Sequence, residues 1–434
     1  MICAPASLHE LPKGTSRLRA LARRFSADYW RLFAAAFCMD FGFSLFFFLF
    51  NIYLRDLNFN ERFIGQVMAC LTIGNIVGTL PATILARRRG LRPLLIVTFL
   101  LAPVLCAARA LIVWPLAQPA LAFATGAALC GWPICFSPAI AALTNTENRA
   151  SGFSIAFATG IGLGSFAGIA GGYVPEFLHS SILHYSIVAG IRIVLLLSCV
   201  IALLGVFPLL HLSIEHHPAA PAERRRLFHP YLWRFLPAFM LWNVATGSFP
   251  LFGPVFLQQG LGISLGKLGS VFSSSQLVQF GAVLLAPLVF RRIGIPGGVA
   301  AAQVGTALFL VLIASTRYAP FAVCFYLLYF GAQFMCSPGI YNLLMNNVPE
   351  EERSQASAVQ NLAGALCQAG TAALTGACIA AYGYHIVMFA DAAIAISASL
   401  LFFILGRRIQ QPFRAAENTL FGSADLQMQR QVTE

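Results

Sequence analysis

Four ionisable side chains interrupt otherwise apolar stretches of this chain: Asp40, Arg109, Arg192 and Asp391. A charge held at the centre of a bilayer costs about 2.5–3.5 kcal/mol on insertion scales, so each such group asks for a reason. Asp40 lies ten residues beyond Trp30, which at a helical rise of 1.5 Å per residue places it about 15 Å into a membrane, near the middle. A carboxyl at that depth is poorly solvated and is a candidate for taking up and releasing a proton. Its other possible use is a structural ion pair with Arg109 or Arg192. A guanidinium holds carboxylate or phosphate bidentately, so an arginine that reached a cavity would point to an anionic ligand. Pairing with Asp40 or with backbone carbonyls is the competing explanation for both arginines. Asp391 falls near one end of its apolar run, where solvation accounts for it.

The elements that carry these residues follow from composition. Of 434 residues, 58% are hydrophobic and only 10% are charged, against roughly 25% charged in a soluble domain. A water-facing surface cannot be covered with so few charges, so the apolar residues must face lipid. A helix needs about 20 mostly apolar residues to cross the hydrocarbon. Such stretches occur at 30–54, 63–86, 93–113, 118–143, 150–175, 184–211, 231–258, 267–290, 297–316, 319–345, 354–382 and 385–406. The formal charge of +12 does not imply nucleic acid, because of where the charge sits. With the N-terminus in the cytoplasm, the arginines of 17–24, 87–92, 224–226, 291–292 and 407–414 all fall on one side, and Arg55, Arg62, Lys267 and Arg317 are left on the other. That is the positive-inside asymmetry, and it predicts cytoplasmic termini and an even number of spans. Residues 1–28 lack a short apolar core with a small-residue cleavage site, so no removable signal peptide is expected. The eleven cysteines show no metal or redox spacing and read as small packing residues; no metal or cofactor is expected.

The chain also repeats itself. Gly65 to Gly90 in the first half and Gly269 to Gly294 in the second share an offset of 204 residues, as do Gly160 and Gly364, and Gly172 and Gly376. Ser137-Pro138 and Ser337-Pro338 stand at corresponding places, as do Trp30-Arg31 and Trp233-Arg234. Repeats in the right order at the same topological positions mark a duplication. The division that results is a tail over 1–28, a six-helix bundle over 29–211, a polar linker over 212–230, a second six-helix bundle over 231–406 and a tail over 407–434. Aligning the two tryptophans sets Asn243 opposite Asp40 at equal depth.

With this layout and the basic loop Arg88-Arg89-Gly90-Leu91-Arg92, echoed by Arg291-Arg292-Ile293-Gly294, the chain resembles the major facilitator superfamily over residues 28–408. The resemblance implies an all-α membrane protein of twelve transmembrane helices in two pseudo-symmetric six-helix bundles, rocking about a cavity lined by the first, fourth, seventh and tenth spans. It implies a secondary active transporter of a small solute. A multi-pass, monomeric protein of a bacterial inner membrane is then expected, with the lipid bilayer around it and protons as coupling ion through Asp40. The family's loop begins Gly-x-x-x-Asp; here Thr83 and Arg87 stand at those places. The run Gly164-Ser-Phe-Ala-Gly168-Ile-Ala-Gly171-Gly172 is similar to a glycine signature of drug/proton antiporters without its proline, and close helix packing is its plainer reading.

On that plan the substrate-contact candidates are Asn243, Trp132, Gln276, Gln279, Tyr329, Gln333 and Asn342, with Arg109 and Arg192 if they reach the cavity. Pro133, Pro138, Pro250 and Pro338 are expected to bend cavity helices. Enzymatic function is not expected: there is no His-x-x-x-His, no Gly-x-Ser-x-Gly with triad partners and no Walker-type motif. Lipid or drug export on the same scaffold is the closest alternative. A non-transporting sensor is the more distant one, because it would be expected to carry a signalling domain.

Overall fold

The computed structural model describes residues 25–145, 148–180, 186–214, 230–349 and 352–405. The basic terminal tails and most of the linker, including Arg224–Arg226, Arg407 and Arg408, lie outside the described residues. Among the described residues, twelve helices are long and apolar enough to cross a membrane. They are α1 (Ala27–Asp56), α2 (Glu61–Arg89), α3 (Leu91–Leu111), α4 (Ala117–Leu143), α5 (Ser151–Ser180) and α6 (Ile187–Leu210), then α7 (Pro230–Gly260), α8 (Leu265–Ile293), α9 (Ile295–Ser315), α10 (Ala319–Asn346), α11 (Ala356–Tyr382) and α12 (Tyr384–Leu405). Helices satisfy their own backbone groups, which lipid cannot do. Large apolar side chains such as Leu80, Leu116, Phe177 and Leu374 point outward, while Arg109 is completely buried.

Sequence punctuates the helices where it must. Ser26, Asn60 and Ser186 cap α1, α2 and α6 by accepting the amides of Tyr29, Phe63 and Ala189 at 3.1, 2.9 and 3.2 Å. α2 ends in Arg87–Arg89 and α8 in Arg291 and Arg292, cations where the helix dipole is negative. Each of these helices is joined to the next by a single glycine, Gly90 at φ 90° and Gly294 at φ 76°. That is backbone an L-side chain adopts only with strain, so both glycines of the repeated basic loop are required by the turn. Arg92 also donates to the Leu210 carbonyl at 2.6 Å, tying this loop to the end of α6.

The two halves meet through α2 against α11 and α5 against α8, and the contacts obey the 204-residue repeat. Gly65 lies on Gly376, and Gly172 on Gly269; a Cβ built on Gly172 would stand 2.9 Å from the Cα of Gly269. Small residues of this kind allow close approach of membrane helices. Around these crossings, at the end remote from the basic loops, hydrogen bonds link the halves. Asn51 donates to the Leu251 carbonyl at 3.2 Å, Arg55 to Gln259 at 2.6 Å, Tyr384 to Glu61 at 3.2 Å and the Gly266 amide to Glu176 at 2.8 Å. Arg55 also forms an ion pair with Glu61 at 3.3 Å.

Buried apolar packing follows the same division. One cluster joins both halves through Leu45–Leu54, Ile64, Val67, Phe252 and Ile379 at the closed end. A second, smaller cluster belongs to the first half alone and occupies its basic end, around Tyr29, Leu32, Leu95, Phe99, Ile140 and Leu209. The first half is fused to the second at one end and packs on itself at the other.

The crossing yields a stability prediction. Gly172→Leu must push α5 from α8 and is expected to lower the melting temperature of the purified protein by several degrees, overpacking costing about 1–3 kcal/mol. Gly162→Leu, on the same helix with nothing within 4 Å of its built Cβ, is the control and is expected to melt with wild type. Equal melting of both variants would show that no such contact exists.

Candidate functional site

Below the closed end, between the halves, lies a cavity of about 1280 Å³. It is reached by side chains from α1, α2, α4, α5, α7, α8, α10 and α11. Asp40 is on its wall, with Trp132, Gln276, Gln279 and Gln333, so five of the residues singled out from sequence are brought together. The remaining wall is mostly apolar and includes eight phenylalanines: Phe43, Phe47, Phe48, Phe136, Phe272, Phe280, Phe330 and Phe334.

Breaks in the helices shape this wall. α4 is interrupted for one residue at Cys130, between Leu129 and Gly131, just before Trp132 and Pro133. α7 is interrupted at Ser248, whose φ and ψ are −84° and −60°, and ends in a wide π turn over Phe256–Gly260. Pro250 has no amide hydrogen to continue the ladder across that point. Thr246, Gly247, Pro250 and Leu251 face the cavity at the break.

Asp40 is half-buried, and the Trp132 side chain is its polar neighbour on the cavity wall. Among the described residues it takes part in no ion pair. Its carboxylate sits beside Gly160 of α5, 3.4 Å from where a Cβ would be, and Asn243 sits in the same way beside Gly364 of α11, at 3.3 Å. The two polar groups therefore occupy matching places in the two halves, as the tryptophan alignment predicts. They differ in exposure to the cavity. Asn243 turns its amide hydrogen onto the Phe239 carbonyl of its own helix at 2.9 Å and is not among the lining residues.

The arginines are elsewhere. Arg109 is fully buried with its guanidinium 4.1 Å from the centre of the Phe50 ring and 5.9 Å from that of Phe46. None of its three guanidinium nitrogens has a hydrogen-bond partner. The expectation of pairing with Asp40 or with carbonyls is thus corrected: ring faces hold this cation, through the attraction of a positive charge to a π quadrupole. Arg192 donates to the Tyr53 hydroxyl at 2.8 Å, and that hydroxyl donates in turn to the Ala110 carbonyl at 2.9 Å. Neither arginine lines the cavity. Tyr329 is also fully buried, wedged edge-on against Phe249 and Phe330. Asn342 is exposed and accepts from Asn346.

Asp391 departs from expectation in the opposite sense. It is 5% exposed rather than solvated, because Ser248 and Phe249 of α7, Thr375 of α11 and Met388 of its own helix surround it in a small enclosed space. There it accepts a hydrogen bond from Ser248, the residue at which α7 breaks. Lining residues that the sequence reading passed over are Ser44, Asn51, Thr72, Thr246 and Gln368. An isolated polar residue in an apolar run is the signal that marks Asn51 and Gln368.

Twelve membrane-length helices in two duplicated six-helix bundles around a central cavity define the class as a facilitator-type membrane transporter. The chain belongs to the Major Facilitator Superfamily, whose family model matches residues 32–372. No curated protein matches the chain. Among solved structures it is similar to the nucleoside transporter NupG, with a TM-score of 0.71 at 15% identity over 88% of this chain and 99% of that one. It is also similar to a bacterial homolog of the human lysosomal transporter Spinster in an inward-facing, unoccupied state (TM-score 0.70, 14% identity, 88% and 98% covered). A D-xylose–proton symporter gives a TM-score of 0.68 at 16% identity, with 86% and 97% covered. Identities this low establish a shared fold.

The position of Arg109 leads to a prediction. Arg109→Met keeps length and apolar contact while removing a buried charge that has no hydrogen-bond partner, a charge whose removal from water is costly. The variant is expected to melt at or above the wild-type temperature. A fall of several degrees would mean that an anion or a polar partner meets this guanidinium.

Proposed function

We propose that this protein is a secondary transporter that carries a small solute by alternating access, with a proton on Asp40 as the coupling ion. The observation that carries the reading is the placement of Asp40: one carboxyl on the wall of a cavity between two duplicated halves, with no cationic side chain opposing it among the described residues. Parallel repeats with a site at mid-membrane between them are the general plan of such carriers. Rocking the halves exposes that site to one side and then the other, and a carboxyl there is loaded or emptied of a proton according to the side it meets.

Orientation comes from the basic residues. The positive-inside rule puts the Arg87–Arg92 and Arg291–Arg292 loops in the cytoplasm, and with them both termini and the 212–230 linker between bundles 29–211 and 231–406. The glycine crossings and the Arg55–Glu61–Tyr384 contacts then close the outer side, and the state described is one open toward the cytoplasm. The likeness to an inward-facing Spinster homolog agrees with this. The protein is proposed to be a monomer in a bacterial inner membrane, its charged loops facing inward.

The test is proton movement in proteoliposomes that hold a trapped pH dye. A panel of uridine, D-xylose, benzoate and tetraphenylphosphonium is added to one side. At least one is expected to evoke a change in lumenal pH in wild type, and Asp40→Asn is expected to reduce that change to the leak of protein-free vesicles. A wild-type response in Asp40→Asn would end the coupling role of Asp40.

A further inference from the structure

The cavity wall has one sign of charge. Among the described residues that line it there is a carboxylate, Asp40, and no Arg, Lys or His. The two arginines deep in the first half are committed elsewhere, Arg109 to the Phe50 ring and Arg192 to the Tyr53 hydroxyl. An anion entering this space would find no cation. It would find few free hydroxyl donors either, since Thr72 and Thr246 already donate to the carbonyls of Met68 and Trp242 at 3.1 and 2.9 Å. For a cation the same wall is favourable twice over. The carboxylate supplies the counter-charge, and aromatic faces attract positive charge most strongly where water is excluded. The volume of about 1280 Å³ leaves room for a bulky organic body against the phenylalanines.

Resting on the transporter reading above, we propose that the substrate class is the amphipathic organic cation, held at Asp40 and Trp132, and that it is exchanged for the proton on Asp40. The step balances simply: the neutral acid releases its proton to water in the cavity, and the carboxylate left behind pairs with the cation without any covalent bond forming. One carboxylate cannot hold both, so cation and proton displace one another. An inward proton gradient would then drive the cation outward.

Asp40 is the sole titratable group on the described wall. Trp132 of α4, Gly160 of α5 and Gln276 of α8 bring no ionisable group to it. On the sides of α1 that meet α3 and α6, Cys106, Arg109, Arg192 and Cys199 cluster about three turns further along, beside Phe50 and Tyr53.

The experiment uses the purified full-length chain and two ions of one shape and opposite charge, tetraphenylphosphonium and tetraphenylborate, by equilibrium dialysis, with uridine and D-xylose as neutral probes. Tetraphenylphosphonium is expected to bind saturably, to weaken as pH falls, and to release about one proton per bound cation in weak buffer where the acid starts protonated. Asp40→Asn is expected to weaken it about tenfold or more, while Asp40→Glu stays within a few-fold of wild type. Tighter binding of tetraphenylborate, uridine or D-xylose overturns the cation class, and so does wild-type tetraphenylphosphonium binding in Asp40→Asn, absence of binding, or binding without proton release. The last measurement needs no variant, so a misfolded Asp40→Asn does not decide the matter. Proteoliposome flux separates the two readings: a neutral probe carried with protons through Asp40 overturns the cation class and leaves the transporter standing. A cation bound at Asp40 but never carried does the reverse.

Discussion

Glycine against glycine is the contact on which the rest of this structure depends. α2 meets α11 at Gly65 and Gly376, and α5 meets α8 at Gly172 and Gly269, with no side chain between the backbones. In lipid there is no hydrophobic drive to press two helices together, so close packing and hydrogen bonds must do it. Both are present at one end of the molecule, where Glu61, Arg55 and Tyr384 bind across the seam. Because the crossings lie toward that end, the halves diverge from it, and the space they enclose becomes the cavity. A bulkier residue at any of the four glycines would alter the angle between the halves and hence the shape of that space.

A second principle separates the charges. Each of the four ionisable groups set within the spans is placed with a different neighbour. Arg109 has ring faces, Arg192 a phenol, Asp391 a hydroxyl at a helix break, and Asp40 an indole beside open space. The first three are enclosed in their own bundles. Asp40 alone among them lines the cavity, which is why the coupling role is proposed for it and for none of the others.

Much of this was legible from sequence. Helix positions follow from gaps in charge, and the duplication from the fixed 204-residue offset, which the glycine crossings turn into a physical fact. The depth of a residue along its helix was also readable, and depth sufficed for Asp40, Trp132, Gln276, Gln279 and Gln333. It did not suffice for Arg109, Tyr329 or Asn243, because successive residues point about 100° apart and the facing of a lipid-embedded helix is not marked by polarity alone. Gln368 and Thr72 lie outside the family plan of first, fourth, seventh and tenth spans, on α11 and α2, which border the cavity while also forming the seam. Asp391 lies at the depth its span implies, but its enclosure comes from the α7 break at Ser248 packing against it, a contact that position along a helix does not encode.

The single-glycine joints at Gly90 and Gly294 carry a mechanical consequence. A connection of one residue has no slack, so α2 cannot slide on α3, nor α8 on α9, by more than that residue allows. Relative movement within each couple is therefore confined, at that end, to rotation about the glycine. Because α2 and α8 each run from such a joint to the glycine crossings near their other end, a change of tilt at one end of either helix is a change of tilt at the other.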